Sequence, residues 1–219
     1  MSFEGFKPDS FAFFDELEAN NNKVWWEANK ARYEESVRGP LSAMLDQISG
    51  DFGVPKLYRP HRDTRFSTDK TPYKDRAASA VFGKAGTGFY VEISARGLDL
   101  GGGYWMPGKD QIERFRSMVD DPRYFGDLEA TVEELEEAGF SLYTADAVKT
   151  APKGFSVDHP RIHLLRLKHM VMERLAPPSE WMFEASAADV IREAWLKVAI
   201  WNDWLVENVG PSTEPPRPR

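Results

Sequence analysis

The hydrophobic period of this chain changes at one place, the stretch RPHRDTRFSTDKTPYKDR at residues 59–76, and that change constrains the fold more than any other feature. Before it, residues recur at helical spacing: the apolar Phe11, Phe14 and Leu17, then a stripe of Trp26, Lys30, Tyr33 and Val37 in which only Lys30 is charged, then the apolar Leu41, Met44, Leu45, Ile48 and Phe52. After it, Phe89, Val91 and Ile93 alternate with Tyr90, Glu92 and Ser94, the mark of a half-buried strand. The stretch itself continues neither pattern. Pro60 and Pro72 bias Arg59 and Thr71 toward extended backbone, and Asp63, Ser67, Thr68 and Asp69 favour side-chain-to-backbone turns. Helices, an irregular polar connection and a β-meander follow in that order.

In detail, helices are expected over 10–20, 23–38 and 40–52, with Gly39 breaking the second and Gly53 and Pro55 stopping the third. Strands are expected over 77–82, 89–94 and 98–100, ended by the glycine triplet 101–103. Further on come a helix capped by Asp110, a helix over 127–138, a short strand at 140–142, a strand over 168–175 and a last helix over 187–209 that buries Ile191, Trp195, Val198 and Leu205. The class is α+β: a single domain over 1–209, with a central antiparallel meander and helices from both ends packed on it. The Pro-rich tail, 210–219, has no apolar side chains to repay its ordering and is expected to be disordered.

Composition removes several chemistries. There are no cysteines, so disulfides, Cys-ligated zinc, iron–sulfur clusters and a thiol nucleophile are excluded. The N-terminus has no basic start followed by an apolar run, and no stretch approaches the roughly 20 apolar residues that span a bilayer; a cytoplasmic location without membrane contact is expected. A formal charge of −7 argues against duplex nucleic acid as a partner. Within that acidic chain, residues 59–76 carry six Lys/Arg against three Asp. A positive island costs self-repulsion and needs a local reason, either carboxylates to pair with or an anionic ligand.

Arginine suits planar capture of phosphate or carboxylate, and Lys adds point charge. Arg62 and Arg65 flank Asp63, an arrangement in which an Asp can brace one guanidinium while the other faces a ligand. Arg59, Arg62, Asp63, Arg65, Ser67, Lys70, Tyr73 and Lys74 therefore form the candidate ligand-binding set, joined downstream by Arg166 and Lys168. Asp158-His159 is the acid/base candidate, since a His beside a carboxylate can move a proton near neutrality. The alternative for that pair is a rigid turn before Pro160, its Asp capping the next helix. His159 and His163 stand at i, i+4 but lack a third ligand, so no metal site is read. No cofactor is read either. The glycines of 83–88 resemble a phosphate loop, yet Lys84 precedes the second Gly and a strand follows, so a hairpin loop is the better reading. The triplet 101–103 reads as a bulge ahead of an anion-approach site.

Several runs resemble a known family. Gly5-Phe6-x-Pro8, Phe13-Phe14-x-x-Leu17-x-x-Asn20-Asn21, then Trp25, Asn29, Tyr33 and Pro40-Leu41 are similar to the opening of the bacterial and fungal DUF2461 family. Its central motif resembles Arg59-Pro60-x-Arg62-Asp63-x-Arg65-Phe66-Ser67-x-Asp69-Lys70-x-Pro72-Tyr73-Lys74. Gly101-Gly102-Gly103, Pro152-x-Gly154, Asp158-His159-Pro160 and Leu164-Leu165-Arg166-x-Lys168 fit as well, and the likeness spans residues 3–208. Ile200-Trp201 departs from it, where a Pro-Leu pair is expected. The resemblance implies positions but no chemistry, because the family has no established activity.

Two functional readings remain. In the first, the basic stretch lines a pocket for a phosphorylated or carboxylated small molecule, closed by Asp158-His159 and Arg166-x-Lys168; if it is an enzyme, the chemistry is metal-independent. In the second, the chain is a non-enzymatic interaction module whose charges form an internal salt-bridge web or meet an acidic partner protein.

Overall fold

The computed structural model describes residues 2–65 and 67–215; Phe66 of the basic motif and 216–219 of the tail lie outside them. The chain opens with α1 (Pro8–Ala19), whose Pro8 at the first turn has no N–H to leave unpaired. Ser10 then accepts from the Lys7 N–H at 3.0 Å and donates to the Ser36 carbonyl. Asn22 caps α2 (Lys23–Tyr33) by accepting from the Trp25 N–H at 3.0 Å.

The expected break at Gly39 does not occur. A π-helical turn, Glu34–Arg38, carries α2 directly into α3 (Gly39–Phe52). The wider turn accommodates Pro40, which offers no N–H to a regular ladder. A Cβ on Gly39 would lie 2.9 Å from the Glu34 carbonyl, so the glycine permits the turn that was expected to end the helix.

The strands are β1 (Pro55–Leu57), β2 (Arg76–Phe82), β3 (Gly88–Ser94), β4 (Gly97–Tyr104), β5 (Ser141–Leu142) and β6 (Met170–Ala176). They form one antiparallel sheet in the order β1-β2-β3-β4-β6-β5, and the class is α+β. The glycine triplet lies inside β4 instead of ending it. A Cβ on Gly101 would sit 2.6 Å from the Met172 carbonyl, and one on Gly103, at φ +136°, 1.9 Å from that of Met170. The triplet is what lets the β6 backbone approach.

The remaining helices are α4 (Lys109–Asp120), α5 (Pro122–Glu137), the single turn α6 (Ile162–Leu165) and α7 (Ala187–Asn208). Helix α5 starts five residues before the expected 127, because Asp121 caps it and Pro122 takes its first position. Among the described residues no helix is long and apolar enough to cross a membrane.

By contacts the chain forms two compact units. The first takes the chain up to Val81 with Tyr90–Leu100 and Leu175–Ala194; the second takes Phe82–Phe89, Gly101–Arg174 and the chain from Trp195. The first unit's core is aromatic: Phe13 meets Phe14, Trp25, Trp26 and Tyr33 at ring distances of 5.3–6.0 Å. In the second, Trp201 and Trp204 stack at 5.8 Å with Phe115 edge-on to both, and the Trp201 indole donates to the Met170 carbonyl at 3.0 Å. There the tail expected to be disordered is tied down as far as Glu214. Ser212 and Thr213 donate to Asp110, the Lys109 N–H donates to Glu214, and Arg114 donates to the carbonyls of Val209 and Pro211. Backbone carbonyls and small hydroxyls anchor it where apolar side chains are lacking.

Candidate functional site

The basic stretch folds back on itself as an arm. His61 and Tyr73 form a β-bridge, the Arg62 N–H donates to the Pro72 carbonyl at 2.9 Å, and the Lys74 N–H to that of Pro60 at 2.8 Å. Asn21 clamps the arm from outside, its carbonyl oxygen accepting from the Tyr73 N–H at 3.1 Å and its amide donating to the Tyr73 carbonyl at 2.9 Å. The Tyr73 ring is buried, stacked on Trp26 at 4.2 Å and 11°. Tyr73 is therefore an anchor of the arm.

Most of the arm's charge is spent within it. Arg62 pairs with Asp69 at 2.5 Å and donates to Thr71 at 2.8 Å. Arg65 holds Asp63 in two bonds, at 2.9 and 2.7 Å, which keeps the Asp63 carboxyl down at about 2. Lys70 donates to the Thr64 carbonyl at 2.9 Å, and the Ser67 N–H reaches that carbonyl at 3.4 Å.

At the base of the arm the balance differs. The half-buried Lys74 lies over the Tyr58 ring at 5.4 Å. Burial pushes its ammonium below the ordinary lysine value, and repulsion from Arg76 and Arg59 pushes the same way. Among the described residues no carboxylate stands within ion-pair distance of Lys74 or Arg59.

Arg76 leads from the arm onto the sheet. Strand β1 pairs with β2 in the register Leu57↔Ser79, and the Tyr58 N–H donates to Ala78 at 2.9 Å. On β3, Tyr90 donates to Glu92 at 2.5 Å, and the Arg76 Nε reaches the same carboxylate at 3.1 Å. Glu92 is only 6 % exposed. Burial raises its pKa, opposed by Tyr90 and Arg76, and the charge of Asp99 on β4 raises it further. Burial raises the Asp99 carboxyl too. The sequence reading missed Tyr90, Glu92 and Asp99 because they occupy what looks like the solvent half of a strand alternation. Carboxylates on two strands joined by the two-residue turn Ala95-Arg96 were the available signal.

The remaining proposed residues lie in the second unit. Asp158 is exposed, and the carboxylate on His159 belongs to Asp120, which the ring Nε2 meets at 3.0 Å. Nδ1 accepts from the Arg161 N–H at 3.1 Å, so in the neutral ring Nε2 carries the proton and donates to Asp120. Lys168 is exposed; Arg166 is half-buried, its Nε without a protein partner among the described residues. A cleft of about 350 Å³ in this unit is lined by Phe125, Val132 and Leu164 with Glu129, Glu133 and Glu136, acids that repel an anion. Arg161 occupies the Phe125 face at 3.8 Å. Among the described residues no group of three or more His, Asp or Glu could hold a metal ion.

These features define an α+β protein with a self-paired basic arm whose base opens onto a charged sheet face. The chain belongs to the DUF2461 family, described as a conserved hypothetical protein, whose model matches residues 9–204. No curated protein and no solved structure matches it.

Proposed function

We propose that this chain binds a phosphorylated or carboxylated small molecule at the base of the arm, through Arg59, Lys74 and Arg76. The observation that carries the reading is the like-charge trio itself: a half-buried Lys74 ammonium destabilised by two arginines, with no carboxylate among the described residues within ion-pair distance of it, although Arg76 pairs with Asp75 and Glu92. Such an arrangement costs the free protein and is relieved by an anion, to which guanidinium and ammonium groups give charge-assisted bonds. Arg62, Asp63, Arg65 and Lys70 then shape the arm, with Tyr73 fixing it to the core. Asp158, His159, Arg166 and Lys168 are a separate set, and His159 paired with Asp120 remains the chain's acid/base candidate.

The pairs Arg62–Asp69 and Arg65–Asp63 favour the second reading, an internal web without a ligand. Exposed pairs of this kind contribute little to stability. They explain the arm's own charge, and Asp75 and Glu92 pair with Arg76 at 3.1 Å, but Lys74 and Arg59 are left unexplained.

Calorimetric titration with inorganic phosphate and pyrophosphate at low salt separates the two. Lys74→Met and Arg59→Met are expected to weaken binding at least tenfold, a loss of about 1.4 kcal/mol or more. Arg65→Met is expected to change it far less. Equal binding by wild type, Lys74→Met and Arg59→Met would overturn the proposal, and no binding by wild type would leave the web.

A further inference from the structure

Beside the cationic trio, the same sheet face holds two buried oxygens with no protein partner among the described residues: Ser94 Oγ, on a residue 7 % exposed, and Asp99 Oδ1. Buried polar atoms in folded proteins are almost always hydrogen-bonded, so each such orphan calls for a cause. Alternation along β3 puts Ser94 on the face that carries Tyr90 and Glu92. Asp99 acts electrostatically on Arg76, Tyr90 and Glu92 and so belongs to the same cluster. On β2, Ala78 and Ala80 alternate with the Ser79 side and bring only methyl groups to this face, while the half-buried Tyr58 offers a ring at its border. The face thus combines carboxylate acceptors, a hydroxyl and an aromatic ring, with cations at one end.

We infer that the site takes a polyol phosphate, a phosphorylated sugar being the simplest form, with its phosphate on Arg59, Lys74 and Arg76 and its hydroxyls on Asp99 and Ser94. This rests on the anion-binding reading and deepens it. Inorganic phosphate alone would satisfy the trio and leave both oxygens unmet. A peptide brings as many carbonyl acceptors as donors to a face already rich in acceptors. Sugar hydroxyls donate and accept at once, and so serve a carboxylate and a serine side by side.

The test is calorimetry on the full chain with glucose 6-phosphate, glucose and inorganic phosphate, for wild type, Ser94→Ala, Asp99→Asn and Lys74→Met. Glucose 6-phosphate is expected to bind at least tenfold tighter than phosphate. Ser94→Ala and Asp99→Asn should each close that gap, and Lys74→Met should weaken both ligands. Ser94→Ala removes a single oxygen and keeps the test alive if Asp99→Asn does not fold. Equal affinity for the two phosphates, or a gap untouched by Ser94→Ala and every folded Asp99 variant, would overturn the polyol inference while phosphate binding left the anion reading standing. Loss of all binding in wild type would overturn both.

Discussion

Lys74 and Glu92 show how burial acts on single charges here. Burial and two arginines destabilise the charged form of Lys74, whereas the buried Glu92 is compensated by a phenol and a guanidinium. For Glu92 the sign is fixed by its raised pKa. Its contribution to stability is fully present below the unfolded value, near 4.5, and is lost as pH rises through the higher folded value. Urea melts as a function of pH should therefore show wild type losing stability above pH 4.5 relative to Glu92→Gln, which keeps the shape and cannot ionise. A difference between the two that stays flat with pH, or widens in favour of wild type, would refute the assignment. Arg59 and Lys74 were legible in the sequence because a basic run on an acidic chain is conspicuous. Glu92 and Asp99 were not, because alternation within one strand shows which side chains share a face but not whether that face is covered.

Among the elements, the arm depends on one residue far away in sequence. Asn21 bonds both the N–H and the carbonyl of Tyr73, so Asn21→Ala leaves two half-buried backbone groups unmet, at a cost of about 1–3 kcal/mol. Faster exchange of the Tyr73 and Lys74 amides in the variant than in wild type would confirm the clamp; unchanged exchange there would refute it. Gly103→Ala is expected to cost about 4 kcal/mol or more, beyond the usual range for point substitutions, since its Cβ would collide with the β6 backbone. A melt within about 1 kcal/mol of wild type would contradict that packing. Deleting 211–219 should lower the melting temperature measurably, because bonds from Thr213, Ser212 and Arg114 hold the Asp110 carboxyl well below the usual carboxylate range; an unchanged transition would show that the tail does not dock. These elements were only partly readable. Periodicity found α3, β3 and α7, but Gly39, the glycine triplet and the tail all act through backbone contacts with distant residues, which no local pattern records.

At the scale of the whole molecule, we propose that residues 1–209 behave as one cooperative domain, since the boundaries between the two compact units cut through β2, β3, β4, β6 and α7. Calorimetric and van't Hoff enthalpies should then agree in a single transition, and two resolved transitions would contradict it. The central claim concerns the cationic base of the arm, and the most direct test is the titration of the Lys74 ε-nitrogen followed by NMR. In phosphate-free buffer it is expected to titrate below the ordinary 10.5 and to move upward on saturation with phosphate, as an anion stabilises the charged form. A Lys74 that titrates at 10.5 or above, or one whose titration ignores phosphate, would contradict the account.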